Sequence, residues 1–73
     1  MKVTYDGLAN AAYLYLREIA PGEIEFSQEV EIEEVEGTIN VDFDAEGRLI
    51  GIEFLNARAQ LPTEVKEEAE RIA

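Results

Sequence analysis

The residue pattern with the most specific chemical meaning is an acidic run near the middle of the chain. It reads Asp42-Phe43-Asp44-Ala45-Glu46-Gly47, with Glu53 at the twelfth place. An EF-hand calcium loop needs acidic ligands at its first, third, fifth and twelfth positions and a glycine at its sixth. It also needs a helix on each side, whereas the flanks of this run alternate apolar and polar residues as strands do. The run therefore predicts a hairpin with solvated acids rather than an EF-hand.

The two flanking strands determine where these carboxylates point. Matching their apolar stripes predicts three cross-strand pairs: Phe43 with Arg48, Val41 with Ile50 and Ile39 with Ile52. The loop between them is Asp44 to Gly47, and a similar loop, Glu34 to Gly37, precedes this hairpin; a final glycine can take positive φ without steric cost. In this register Asp42 lies opposite Leu49, with Glu53 about 13 Å further along at roughly 3.3 Å per residue. The two carboxylates would then be too far apart to share an ion.

A third strand brings another carboxylate towards Asp42. The same matching pairs Ile32 with Ile39 and Val30 with Val41, so Glu29 lies opposite Asp42 and Glu31 opposite Asn40. Like charges that face each other destabilise a sheet, and a divalent ion could relieve the repulsion. Glu29, Asp42 and Asp44 are therefore a candidate metal cluster. The alternative is that these side chains splay into solvent.

Paired carboxylates can also hydrolyse a substrate, which would make the protein a metal-assisted hydrolase. That chemistry needs a cleft and two carboxylates in different environments. Here the acids line an open strand face, and the absence of histidine and cysteine removes the usual catalytic triads. We therefore predict that the protein is not an enzyme, and we expect no catalytic residue and no cofactor.

Composition limits the partners and the location of the chain. Its 73 residues have a formal charge of −11, with 17 acidic and 6 basic residues and no cysteine. Such a surface repels phosphate backbones and anionic membranes, so we expect no nucleic acid or membrane partner. The acidity either keeps the protein soluble or attracts a basic protein. No signal peptide and no apolar run long enough to span a bilayer is apparent, so we expect a cytoplasmic location.

Apolar periodicity predicts an α+β fold in a single domain over residues 1–73. About five mostly antiparallel strands form one sheet, over residues 2–5, 11–17, 24–33, 38–43 and 48–55. A C-terminal helix over 62–72 packs on one face of that sheet through Leu61, Val65, Ala69 and Ile72. Gln28 interrupts the apolar stripe of the third strand, which indicates a bulge or an edge position. The simplest strand order is a meander, but other orders remain open.

Two of the strands carry apolar groups on both sides. Tyr13 and Tyr15 alternate with Leu14 and Leu16, while Leu49 and Leu55 oppose the face of Ile50, Ile52 and Phe54. A sheet with one solvated face should alternate more cleanly. Tyr13, Tyr15, Leu49 and Leu55 are therefore candidates for a protein interface, with a homodimer as its simplest form. The alternative is scattered surface hydrophobic residues, which are common.

Two segments of the chain resemble the small prokaryotic family called domain of unknown function 2283. The first is Tyr5-Asp6-x-x-Ala9-x-Ala11-x-Tyr13-Leu14-x-Leu16. The second is Gly37-x-Ile39-x-Val41-Asp42-Phe43-Asp44-x-x-Gly47-Arg48-Leu49-x-Gly51-Ile52-Glu53-x-Leu55-x-Ala57. The resemblance covers residues 1–58, and it departs from the family at Gly7, often proline, and at Asn10, commonly aspartate. Both departures are expected to affect only the first loop.

The resemblance implies a stand-alone prokaryotic protein and assigns no activity, cofactor or catalytic residue. It also implies a small partner-type protein, such as one that acts beside a toxin-like protein. Together with the residue pattern, it leads to a hypothesis of a non-enzymatic protein-interaction module. The alternatives are an antitoxin-like partner of a small basic toxin and the metal-assisted hydrolase.

Overall fold

A six-stranded sheet and two short helices form the protein in a computed structural model that describes all 73 residues. The elements are β1 (Lys2–Asp6), β2 (Ala11–Tyr15), β3 (Phe26–Val30), β4 (Thr38–Phe43), β5 (Leu49–Leu55), α1 (Ala57–Gln60), α2 (Thr63–Glu68) and β6 (Glu70–Arg71). All strand pairs are antiparallel except β1 with β6. The predicted α+β fold is therefore confirmed, with one strand more than expected. No helix is both long enough and apolar enough to cross a membrane.

The strand order is β3-β4-β5-β2-β1-β6, which is not a simple meander. Strands β3 to β5 form a meander and β1 with β2 a hairpin, and the connection over residues 16–25 carries the chain to the far edge. Strand β3 has a neighbour on one side only. Gln28 lies in this edge strand, as the interruption of the apolar stripe indicated.

The predicted β4–β5 register is wrong by two residues. Val41 lies opposite Ile52 rather than Ile50, and Phe43 lies opposite Leu49 after an irregularity between Asp42 and Phe43. Because the side-chain period of a strand is two, this shift leaves residues 38–42 of β4 and their partners on their predicted faces. Apolar alternation specifies the face, whereas the turn specifies the register.

Asp44 organises the turn that sets this register. Its carboxylate accepts the amides of Glu46 and Arg48, both at 2.9 Å, and its own amide donates to the Arg48 carbonyl. These bonds make Arg48 part of the loop, which was predicted to end at Gly47. Gly47 has φ 80° and Gly37 has φ 92°, which confirms the positive φ expected at the last loop glycines.

The β3–β4 register is also shifted by two residues from the prediction. Val30 lies opposite Ile39, not Val41. Glu29 therefore faces Asn40, and Asp42 faces Ser27 instead of Glu29. The predicted repulsion between Glu29 and Asp42 is therefore wrong, because each of the two residues faces a neutral partner on the other strand.

The predicted helix over 62–72 ends early. Helix α2 stops at Glu68, Ala69 is extended, and Glu70 and Arg71 pair with β1. The amide of Ile72 donates to the Tyr5 carbonyl, so the chain end satisfies the open edge of β1 instead of continuing as helix. Ile72 is consequently exposed rather than part of the helical stripe.

The buried core lies where the helices meet β1 and β2. Tyr5, Ala12 and Ala57 are its buried members, and Phe54, Leu61 and Ala69 pack against them. This confirms that the helical segment covers one face of the sheet. The cover is partial, since the helices contact β1 and β2 but reach little of β3 and β4.

Candidate functional site

The centre of the opposite, polar sheet face is the carboxylate of Asp42, which is buried in β4. Its Oδ2 accepts the Tyr13 hydroxyl and its Oδ1 accepts the Ser27 hydroxyl, each at 2.5 Å. These donors come from β2 and β3, so one carboxylate links three strands of the sheet. Hydrogen bonds to a charged group are about twice as strong as those between neutral groups, which explains how a carboxylate can be buried here.

Gly51 makes the contact between Tyr13 and Asp42 geometrically feasible. Strand β5 separates the two residues, and Gly51 lies opposite both Asp42 and Tyr15. A Cβ atom at this position would overlap the Tyr13 ring and hydroxyl. The ring therefore crosses β5 through a space that only glycine leaves. An isolated glycine inside a strand is the sequence signal for such a close approach.

The electrostatics of this cluster hold the proton on the Tyr13 hydroxyl. Burial raises the pKa of the Tyr13 hydroxyl above its usual value, and the hydrogen bond to Asp42 raises it further. The Tyr13 hydroxyl therefore stays protonated at neutral pH and donates its hydrogen bond to Asp42. Ser27 has only a carboxylate as its partner, with no imidazole to activate it.

The adjacent row of the polar face contains two further carboxylates, those of Glu29 and Glu53. Asn40 lies between Glu29 and Glu53, and its side-chain amide donates to Glu53 Oε1 at 3.1 Å. Because Asp42 is paired with Gly51, Glu53 lies two residues along, roughly 7 Å from the Asp42 position. The separation of about 13 Å that the sequence predicted between Asp42 and Glu53 is therefore wrong. The two carboxylates still do not share a partner, because each accepts hydrogen bonds from its own neutral groups.

Asp44 lies apart from this face, in the β4–β5 turn. The amide of Arg48 holds the pKa of its carboxyl below the usual value, against the effect of burial, and the Glu46 amide and the Arg17 guanidinium act in the same direction. Arg17 Nη2 approaches Asp44 Oδ2 at 3.6 Å. The Asp44 carboxylate is thus engaged within the loop.

The candidate cluster of Glu29, Asp42 and Asp44 is consequently not gathered into one site. Glu29 faces Asn40, Asp42 faces two hydroxyls and Asp44 faces loop amides. No group of three or more acidic side chains in the structure is placed to hold a metal ion. The arrangement positions strands and a turn instead.

The four candidate interface residues divide into two kinds of position. Tyr13 and Tyr15 are half-buried, with ring centroids 4.7 Å apart, and Lys2 lies over the Tyr15 ring. Leu49 and Leu55 are exposed at opposite ends of β5, with Gly51 and Glu53 between them. These residues share a strand face but not a continuous apolar surface.

The sequence analysis missed a polar junction between Asn10 and the start of α1. The Asn10 side chain donates to Asn56 Oδ1 at 2.7 Å and accepts the Arg58 amide at 2.8 Å. Both asparagines have positive φ, 55° and 105°, a conformation that asparagine tolerates better than most residues. The departure at Asn10 therefore reaches beyond the first loop, contrary to expectation. Two asparagines beside predicted strand ends were the available signal.

Gly7, the other departure, also reaches beyond the first loop. Its amide donates to the Ala73 carbonyl at 3.0 Å, and a Cβ atom there would overlap the Arg71 guanidinium. A proline could not make this hydrogen bond. The first loop therefore contacts the C-terminal segment that lies outside the resemblance.

A family model matches the part of the chain that forms strands β1 to β5. Residues 2–58 match the family model described as "Protein of unknown function (DUF2283)", which spans β1 to the start of α1. No curated protein sequence and no solved structure matches the chain. Since the match covers well over half of its residues, the chain belongs to the DUF2283 family of proteins of unknown function.

Proposed function

We propose that this protein is a non-enzymatic interaction module that forms a homodimer through the uncovered part of its apolar sheet face. We call this surface the apolar patch, and its members are Phe26, Val30, Ile39, Val41 and Phe43. Phe26 is 52% exposed and stacks on Phe43 with ring centroids 4.9 Å apart. Covering such residues stabilises by about 25 cal/mol per Å² of apolar surface removed from water.

The distribution of charge is the observation that carries the proposal. The chain has a formal charge of −11, yet no charged side chain lies among the strand residues of the apolar patch. The acids of these two strands, Glu29 and Asp42, and Glu53 of the neighbouring β5 are on the polar face. Two copies can therefore pack patch to patch without opposing carboxylates, whereas packing through the polar faces would oppose several.

The accessible surface of the chain supports a second copy as the occupant. A folded monomer of 8.2 kDa exposes roughly 4500 Å². This chain exposes 4998 Å² and buries only 8 of its 73 residues. A partner on the apolar patch would bring the exposed area towards the normal value and extend a small core.

The polar face supports the non-enzymatic part of the proposal. Both oxygens of Asp42 accept hydroxyl protons, and Tyr13 is a poor acid. Both carboxylate oxygens of Asp42 are therefore already engaged within the sheet. The Asp42 cluster is best explained as a clamp between strands.

Sedimentation equilibrium over a range of protein concentrations tests the homodimer. We expect a monomer–dimer equilibrium that Val41→Glu shifts to monomer, because the substitution puts two carboxylates in the contact. Thr38→Glu is the matched control, since it adds the same charge to β4 on the other face. Gln28→Glu provides a gentler variant, because this exposed side chain borders the patch and keeps its size.

A monomeric wild-type protein at all concentrations would contradict the proposal, as would dimers insensitive to both patch variants. Tyr15→Glu separates the apolar patch from the alternative interface at Tyr13, Tyr15, Leu49 and Leu55. We expect Tyr15→Glu to leave the monomer–dimer equilibrium measured by sedimentation unchanged. Dissociation by Tyr15→Glu with an unaffected Gln28→Glu dimer would assign the interface to the tyrosine face instead.

A further inference from the structure

The outer edge of β3 is an open side of the sheet. Strand β3 pairs with β4 and has no strand on its other side. Four of its five residues are exposed and the fifth, Val30, is half-buried. An open edge presents a row of backbone donors and acceptors that another extended segment can pair with.

The charge around this edge is uniformly negative. Residues 23–36 contain seven glutamates and no lysine or arginine. Within this segment only Glu23 forms an ion pair, with Arg17 on the preceding loop. The remaining six glutamates have no cationic neighbour within ion-pair distance, so a basic segment would meet uncompensated negative charge at Glu29 in β3 and at Glu25 and Glu31 on its two flanks.

We propose that the open edge of β3 binds an extended basic segment of a partner protein, which adds a seventh strand to the sheet. Backbone hydrogen bonds along the edge would supply the affinity. Side chains on the polar face would be lysine or arginine, beside Glu29. Those on the opposite face would be apolar, beside Phe26 and Val30. The partner segment should thus alternate basic and apolar residues.

A second copy of the chain fits this edge poorly. Pairing two β3 edges would bring the glutamates in and beside both strands, Glu25, Glu29 and Glu31, close to one another, and like charges on neighbouring strands are destabilising. Acidic side chains on an edge strand protect against self-association and leave it open to a segment of opposite charge. The proposed homodimer uses the sheet face, so the edge and the apolar patch can be occupied together.

This inference rests on the proposed function only in treating the protein as an interaction module. The probe is a short peptide that alternates lysine and valine, titrated into the full chain while backbone amide shifts are followed by NMR. We expect saturable shifts concentrated on Phe26–Val30 and weaker binding as salt is raised. A peptide of the same sequence with alternate amides N-methylated should bind about tenfold more weakly, because it cannot complete the backbone pairing.

Glu29→Lys should weaken peptide binding by about tenfold, and Glu67→Lys on α2 is the control with the same change in charge. No binding, equal binding of the N-methylated peptide, or equal weakening by both variants would overturn the edge proposal. Repeating the titration with Val41→Glu separates the two proposals. If both proposals hold, Val41→Glu is monomeric and still binds the peptide. Peptide binding by a wild-type chain that is monomeric at all concentrations rejects only the homodimer, and a wild-type dimer that does not bind the peptide rejects only the edge.

Discussion

The Tyr13 hydroxyl donates to Oδ2 of Asp42 at 2.5 Å across the intervening strand β5. The two residues are 29 positions apart in sequence and belong to strands that are not adjacent. Gly51 leaves the space through which the ring passes. This three-residue relationship fixes the relative positions of β2, β4 and β5, and its members can be tested separately.

Gly51→Ala should destabilise the fold by about 1–3 kcal/mol, because the new methyl group overlaps the Tyr13 ring and forces it or the strand to move. Urea unfolding followed by circular dichroism measures the change. In a Tyr13→Ala background the same substitution should instead stabilise by about 0.5–1 kcal/mol, since alanine costs less conformational entropy than glycine. Equal effects in both backgrounds would show that the tyrosine does not occupy this space.

Stability above pH ~10 should depend on Tyr13. Burial raises the pKa of its hydroxyl above the usual 10.0, with a further contribution from the hydrogen bond to Asp42. The folded state therefore holds this proton more tightly than the unfolded state. The resulting stabilisation is complete below the unfolded value and is lost as the pH rises towards the folded one.

The free energy of unfolding, measured at a series of alkaline pH values, should fall more steeply for the wild type than for Tyr13→Phe. Comparison of the two proteins cancels the contribution of the other titrating groups. Parallel pH profiles would mean that the Tyr13 proton is not held in the folded state.

Asp44 should have the opposite effect on the pH dependence of stability, because its stabilisation is lost as the solution becomes acidic. The Arg48 amide lowers the pKa of its carboxyl below the usual 3.8, although burial acts against this. Its stabilisation is present above the unfolded value and is lost as the pH falls through the lower, folded value. Asp44→Asn retains an oxygen acceptor for the loop amides but cannot titrate, so its stability should decline less as the pH falls below the usual value of 3.8. An identical acid profile in both proteins would contradict this role.

Asn10→Ala should lower stability by about 1–2 kcal/mol, because the Arg58 amide loses its side-chain acceptor at the start of α1. Asn10→Gly is the matched control, since glycine adopts the positive φ without strain but also lacks the side chain. We expect Asn10→Gly to retain part of the stability that Asn10→Ala loses. Hydrogen exchange at the Arg58 amide reports directly on the bond, and unchanged protection in Asn10→Gly would exclude the Asn10 side chain as its partner.

The sequence predicted which face of the sheet each side chain occupies, but it did not predict the register between neighbouring strands. Alternation correctly placed Val41 with Ile39 and Phe43 on one face and Asp42 on the other. The same alternation is satisfied by any shift of two residues, and the bonds of Asp44 in its turn selected a register two residues from the predicted one. That shift replaced Glu29 by Ser27 as the partner of Asp42 and so removed the predicted metal cluster.

The end of the chain differs from its prediction for a related reason. Leu61 and Ala69 pack on the core as the apolar spacing indicated, but Ile72 does not. A helix over 62–72 would have left the outer edge of β1 unpaired. The competing strand depends on Tyr5, which is distant in sequence, so local spacing could not reveal it.

The sequence by itself determined the α+β class, the two faces of the sheet and the loop glycines with positive φ, because each follows from local alternation or from one residue's steric freedom. Only the tertiary structure decided the strand order, the registers, the Tyr13–Asp42 clamp and the uncovered apolar patch. These depend on contacts between distant segments, and many arrangements of such contacts satisfy the same local pattern.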